Sequence, residues 1–150
     1  MGRRLNGSVG VTVNRTPVEV FEYLRDVHRH NEWSPKPYRA EGIEGPVEAG
    51  STFSSVGWVP GDSEHHNDVE VTAFQPPDRI EFTATEQGEK FISTYVLTSQ
   101  GDGTKLEKIL DMPRPDGVQG IFFPLLFGGF IKPATSKGLK MLKEQLEGGA

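Results

Sequence analysis

The chain has 150 residues, with 16 basic and 21 acidic side chains and a formal net charge of −5. A duplex-binding protein needs a surplus of Lys and Arg to displace phosphate counterions, so this balance argues against a nucleic-acid partner. Cysteine is absent from the sequence, which excludes disulfide frameworks, thiolate metal sites and cysteine nucleophiles. We expect one domain over residues 1–150, because a chain of this length buries enough surface to fold without a metal or a disulfide.

The first elements in chain order are a strand and two short helices. Valines alternate with small or polar residues over Ser8–Asn14, the period of a half-buried strand. Thr16 and Glu19 then form a capping box, which predicts a helix start. A second short helix begins after Asp26 and cannot continue past Pro35.

A run of short strand signals separated by turn residues occupies the middle of the chain. Consecutive hairpins predict an antiparallel sheet, and Val59–Glu64 is predicted as a loop within it. The predicted strands are Tyr38–Ile43, Ser51–Trp58, His65–Phe74, Arg79–Glu86, Glu89–Thr98 and Thr104–Met112.

The C-terminal part of the chain is predicted to be helical. Val118–Ile131 is strongly apolar but contains Pro124 and glycines, which predicts a kinked or two-part helix. Leu139, Leu142 and Leu146 form an apolar stripe beyond it. No run reaches the ~20 apolar residues that a transmembrane helix needs, and no targeting segment is evident. We therefore expect a soluble, cytoplasmic protein.

The stretch "TPVEVFEYLRDVHRHNEWSP", Thr16–Pro35, resembles the N-terminal signature of the START-like (SRPBCC) superfamily. That group includes the birch-pollen-allergen fold and the polyketide cyclase/dehydrase and lipid-transport families. Glu48–Phe53, Phe74–Phe82 and Asp102–Leu106 are similar to further family motifs, in the same order. The resemblance implies an α+β helix-grip fold, in which a curved antiparallel sheet wraps around a long C-terminal helix and two short helices follow the first strand. It also implies an apolar cavity between the sheet and that helix.

Strand alternation indicates which side chains face such a cavity. Phe91, Ser93 and Tyr95 share one face of their strand, so Tyr95 is expected to point inward. The alternative is a core tyrosine whose hydroxyl finds a backbone partner. The full set of predicted ligand-binding residues is Trp58, Phe82, Phe91, Ser93, Tyr95, Lys108, Phe123, Phe127 and Phe130.

Tyr95, His66 and Lys108 are the candidate catalytic residues. Lys108 shares a strand face with apolar residues and could orient a ligand carboxylate or carbonyl, or act as a base. A solvated Lys108 with Ile109 turned inward is the alternative, and we favour it. His66 lies in "HHND", which could hold a metal ion, but a further ligand at a recognisable spacing is missing, so we predict an exposed, polar strand start and no metal.

We expect no catalytic role for two histidines and a tryptophan at the second short helix. His28 and His30 flank that helix, and we expect both at the surface. Trp33, which the helix carries together with Val27 and His30, is expected to pack beneath it in a structural role.

Three functions fit these observations, and the first is binding of a small hydrophobic molecule such as a lipid, a quinone or a polyketide. The second is an enzyme of the polyketide cyclase/dehydratase type, and the third is a protein-interaction module. Phosphate-loop, serine-hydrolase and zinc-protease motifs are absent from the sequence, so no cofactor is implied. The apolar segment Gly120–Pro133 leaves transient membrane contact as an option, and both a monomer and a homodimer remain open.

Overall fold

The computed structural model describes residues 4–59, 61–114 and 117–148, and of residues 118–121 only the backbone. Seven strands form one antiparallel sheet in the order β1-β7-β6-β5-β4-β3-β2. The strands are β1 (Arg4–Val13), β2 (Tyr38–Glu41), β3 (Thr52–Val59), β4 (Asp62–Gln75), β5 (Arg79–Glu86), β6 (Glu89–Gln100) and β7 (Gly103–Pro113). The helices are α1 (Pro17–Arg25), a 3-10 helix (Val27–Glu32), α2 (Gly117–Leu126), a π-helical segment (Phe127–Ile131) and α3 (Lys132–Gly148).

This architecture confirms the predicted α+β helix-grip fold. The chain returns to its first strand, because β7 pairs with β1 at one edge of the sheet, while β2 forms the other edge. Register shifts interrupt the pairing of β3 with β4 and of β4 with β5, and such irregularities bend a sheet. The predicted loop over Val59–Glu64 is too long, since β4 already begins at Asp62; Pro60 lies outside the described residues.

The predicted capping box is present at the start of α1. The Thr16 hydroxyl accepts a hydrogen bond from the Glu19 backbone N–H at 3.3 Å, and the Glu19 carboxylate accepts one from the Thr16 N–H at 3.2 Å. Beyond α1, the Tyr23 hydroxyl donates to the Glu32 carboxylate at 2.9 Å and ties the 3-10 helix to it. These bonds fix the start of α1 and join α1 to the 3-10 helix.

The packed core fills one end of the space between sheet and helices. Leu139 and Leu142 of α3 are buried there, together with Leu24 of α1 and Leu106 of β7. The predicted leucine stripe of the last helix therefore faces the core, and Leu146 packs at its edge.

The predicted break in the C-terminal helix takes the form of the π-helical segment between α2 and α3. Phe127 of this segment is buried against β1, where a Cβ added to Gly7 would lie 2.7 Å from Phe127 Cε1. Four other apolar side chains of α2 and the π-helical segment are exposed instead: Phe122, Leu125, Leu126 and Phe130. Within the described residues, no helix is long and apolar enough to cross a bilayer.

Candidate functional site

A cavity of about 650 Å³ occupies the other end of the space between the sheet and α3. This volume lies within the range of small-molecule sites. Its walls come from the end of the 3-10 helix, the middle strands, the π-helical segment and the first half of α3. The described residues that line it include Trp33, Tyr38, Phe53, Trp58, Phe82, Phe91, Ser93, Tyr95, Lys108, Phe130, Ala134 and Gly138.

Sheet pairing brings the predicted strand residues together on one wall. Ser93 lies opposite Phe82 of β5, and Tyr95 lies opposite Lys108 of β7. Alternation along β6 places Phe91 on the same face. Five of the predicted ligand-binding residues therefore form a continuous patch of cavity wall.

The mouth of the cavity is formed by Trp58 and Phe130, which are both lining and exposed. Lys36 places its ammonium 4.5 Å from the centre of the Trp58 ring, a cation–π contact. The cavity therefore reaches the protein surface between β3 and the π-helical segment.

Lys108 faces the cavity, so the solvated orientation that we favoured is wrong. Its neighbours two residues away, Leu106 and Leu110, are buried, and strand geometry carries Lys108 to the same side. The Lys108 ammonium lies 5.8 Å from the Trp33 ring centre and 5.2 Å from that of Tyr95. These aromatic faces offset part of the cost of removing the charge from water.

His30 also lines the cavity, which corrects its expected surface placement. Its ring lies 4.8 Å from the ring of Trp33 and 5.8 Å from that of Phe82, centre to centre. A 3-10 helix has three residues per turn, so Val27, His30 and Trp33 lie on one side of it. His28, off that side, is exposed as expected. Trp33 is buried, but it forms cavity wall in addition to packing beneath the helix.

One hydrogen bond sets the proton position on His30. Nε2 lies 2.7 Å from the Leu24 carbonyl oxygen, which can only accept, so Nε2 carries the hydrogen. The pKa of His30 is lowered to about 4: burial is the main cause, the hydrogen bond to the Leu24 carbonyl opposes it, and the nearby Lys108 charge adds to the lowering. At neutral pH the ring is therefore uncharged, and Nδ1 carries a free lone pair.

Several hydrogen-bond donors at the cavity wall have no acceptor within the described part of the chain. The hydroxyls of Tyr38 and Tyr95 make no hydrogen bond there. The Trp33 indole N–H is also unpartnered, but its nitrogen is fully buried and does not reach the cavity surface. Burial raises the pKa of the Tyr38 hydroxyl, and the neighbouring Tyr95 raises it further, so Tyr38 keeps its proton. The cavity thus combines an aromatic lining with a few unused polar groups.

Three predicted site residues lie elsewhere. Phe127 packs on β1, as described above, and Phe123 is not among the lining residues, because only part of an apolar helix can face one cavity. His66 is exposed on the outer side of β4, since inward positions of that strand fall on Asn67 and Val69. Its neighbour His65 pairs instead with Asp62 and Glu86. Among the described residues no group of three or more potential ligands could hold a metal ion.

Comparison with known proteins places this fold in a family. The family model described as "Polyketide cyclase / dehydrase and lipid transport" matches residues 5–147. A search of curated protein sequences finds no match.

Solved structures share the fold at low sequence identity. TTHA0849 from Thermus thermophilus superposes with a TM-score of 0.75 at 16% identity, covering 97% of this chain and 99% of that one. Ms6760 from Mycobacterium smegmatis has a TM-score of 0.71 at 12% identity, with 97% and 93% covered. DynU16, described as a protein in the dynemicin biosynthetic locus, has a TM-score of 0.63 at 21% identity, covering 96% of this chain but 48% of that one. With the fold and the family model in agreement, the chain belongs to the polyketide cyclase/dehydrase and lipid transport family, as the sequence resemblance predicts.

Proposed function

We propose that this protein binds a small hydrophobic molecule, such as a lipid, a quinone or a polyketide, in the cavity between the sheet and α3. The observation that carries the proposal is the cavity of about 650 Å³, whose wall is mainly aromatic and aliphatic and which opens at Trp58 and Phe130. The packed core fills one end of the interior, and the cavity leaves the other end empty. The side chains that line such a space lose the van der Waals contacts that a filled interior would give them. A bound apolar molecule would restore them.

Native mass spectrometry of the purified protein, followed by organic extraction, is the first test. A co-purifying lipid or aromatic molecule would support the proposal and identify its class. The neutral fluorophore N-phenyl-1-naphthylamine then reports whether the empty cavity accepts an apolar guest.

A matched pair of variants on α3 makes this test specific. Ala134 lines the cavity, whereas Gln145 is exposed on the same helix. We expect Ala134→Leu to weaken fluorophore binding and Gln145→Leu to leave it unchanged. Equal binding by both variants, or no binding by the wild type, would contradict the proposal.

The exposed apolar side chains of α2 support a route for loading the cavity. Leu125 is 73% exposed, and Phe130 is both exposed and part of the cavity wall. We propose that this surface contacts a lipid membrane transiently. Leu125→Glu should then reduce co-flotation with phosphatidylglycerol vesicles, whereas Val18→Glu, at an exposed apolar position of α1, should not; equal losses would refute the contact.

A cyclase or dehydratase activity is the second candidate, and the presence of His30, Tyr95 and Lys108 on the wall of one cavity supports it. A neutral imidazole with a free Nδ1 can take a proton from a methylene group between two carbonyls, and the Lys108 charge can stabilise the resulting enolate. Tyr95, beside Lys108, could return a proton; His66 lies outside the cavity and has no part in this scheme. Conversion of a synthetic poly-β-ketone, followed by mass spectrometry, should then depend on His30 and survive His28→Gln.

A protein-interaction module ranks last. An exposed apolar patch together with a closed, filled cavity would favour it; the exposed apolar side chains of α2 fit the first condition, but the open cavity does not fit the second. The location in the cytoplasm and the choice between monomer and homodimer stay predictions from the sequence.

A further inference from the structure

The charged side chains at the cavity wall are all of one sign. Lys36, Lys108 and Lys137 line the cavity, and none of its described lining residues is an aspartate or a glutamate. The chain as a whole has more acidic than basic residues, 21 against 16. The local surplus of positive charge is therefore opposite to the charge balance of the protein.

Of these three lysines, Lys108 is the one that lies on the sheet. It sits on β7 directly opposite Tyr95, and its ammonium lies near two aromatic rings. No hydrogen bond or ion pair involves Lys108 anywhere in the ranges 4–59, 61–114 and 117–148. The Lys108 side chain is half-buried, so its charge is less completely hydrated than that of a surface lysine, and an anion in the cavity would pair with it.

A neutral hydrogen-bonding group lies beside this charge. The Tyr95 ring centre is 5.2 Å from the Lys108 ammonium, and the Tyr95 hydroxyl has no partner among the described residues. A hydroxyl that can donate beside a cation suits an oxygen anion.

We propose that the ligand is an amphiphile with one ionised acidic oxygen group, in the first place a carboxylate, which pairs with Lys108. The Tyr95 hydroxyl donates a hydrogen bond to the same group, while the apolar body lies along Phe82 and Phe91. This inference rests on the proposed binding function and narrows its ligand class. An uncharged lipid or quinone would fill the space but leave the Lys108 charge without a partner.

The test compares a carboxylate with an alcohol of the same chain length. Dodecanoate and 1-dodecanol are titrated against the complex of the protein with N-phenyl-1-naphthylamine, and each dissociation constant is obtained by displacement. The proteins are the wild type, Lys108→Met, and Lys105→Met as the matched control. Lys105 lies on the same strand but is exposed and outside the cavity lining.

We expect Lys108→Met to reduce the ratio of dodecanoate to dodecanol affinity by about tenfold or more, the range for a hydrogen bond to a charged group. Dodecanol affinity should stay within about threefold of wild type, and Lys105→Met should keep the wild-type ratio. Lys108→Gln, which keeps a polar head without the charge, provides the same comparison if the methionine variant does not fold.

Two results would overturn the inference in distinguishable ways. If both proteins bind the fluorophore and dodecanol, and the ratio is the same for wild type and Lys108→Met, the anion site is refuted and the binding function stands. If the folded wild type binds neither the fluorophore nor either dodecyl compound, the binding function and the anion site fail together.

Discussion

The buried, neutral His30 should make the protein lose stability in mild acid. Its pKa in the folded state is about 4, against an ordinary value of 6.5, because burial disfavours the charged ring. The folded-state pKa is lowered, so below pH 6.5 the unfolded chain takes up a proton that the folded protein does not. The contribution of His30 to stability is therefore complete above pH 6.5 and is lost as the pH falls toward 4. The loss amounts to about 2 kcal/mol at pH 5 and about 3 kcal/mol at pH 4.

Urea unfolding measured at pH 8, 6, 5 and 4 tests this for the wild type, His30→Gln and His28→Gln. Glutamine can keep the N–H donor to Leu24 but does not titrate. Carboxylates also titrate in this range, so the informative quantity is the difference between variants. As the pH is lowered, we expect the free energy of unfolding to fall in parallel for the wild type and His28→Gln. For His30→Gln the fall should be smaller, by about 2 kcal/mol at pH 5 and about 3 kcal/mol at pH 4. Parallel curves for wild type and His30→Gln would refute the assignment of a buried, uncharged ring.

Three further predictions concern the frame around the cavity. Leu142→Ala should lower the free energy of unfolding by about 2–5 kcal/mol in urea titrations, because Leu142 is fully buried. Leu125→Ala, at an exposed position, should lower it by less than ~0.5 kcal/mol, and similar losses for the two variants would contradict the packing described. Thr16→Ala should cost about 1 kcal/mol through loss of the α1 cap, while Thr16→Ser retains most of it, as monitored by thermal unfolding. Gly7→Ala should cost about 1–3 kcal/mol by overpacking against Phe127, and much less in a Phe127→Ala background; an unchanged cost in that background would argue against the contact.

The sequence predicted the features that depend on interactions between residues close together in the chain. The capping box at Thr16 and the inward face of β6 follow from short-range hydrogen bonding and from strand alternation. The helix-grip architecture required more, because no pattern in a single strand states how the sheet curves. The order of several weak motifs along the chain supplied that information.

Lys108 and His30 show where the sequence was not sufficient. Alternation alone placed Lys108 on the inner face, but a general preference for solvated lysines outweighed it; the two aromatic rings that accept its charge come from distant parts of the chain. His30 was misplaced because its three-residue spacing from Val27 and Trp33 was not used to orient the helix. The spacing was visible in the sequence, whereas the ring contacts of Lys108 were not.

The cavity itself follows from the choice of side chains on α3. Leu139 and Leu142 reach into the packed core, whereas none of the four α3 residues that line the cavity is a large apolar one. Two of the four, Ala134 and Gly138, carry almost no side chain. Gly138 also lets the helix approach closely, since an added Cβ would lie 3.2 Å from the Trp33 carbonyl oxygen. One helix thus closes the core with large apolar residues and places none of them at the cavity. Empty space lowers stability, and a larger apolar residue at Ala134 would fill part of it. The proposed binding function requires that this space stay open, and the division along α3 is consistent with that requirement.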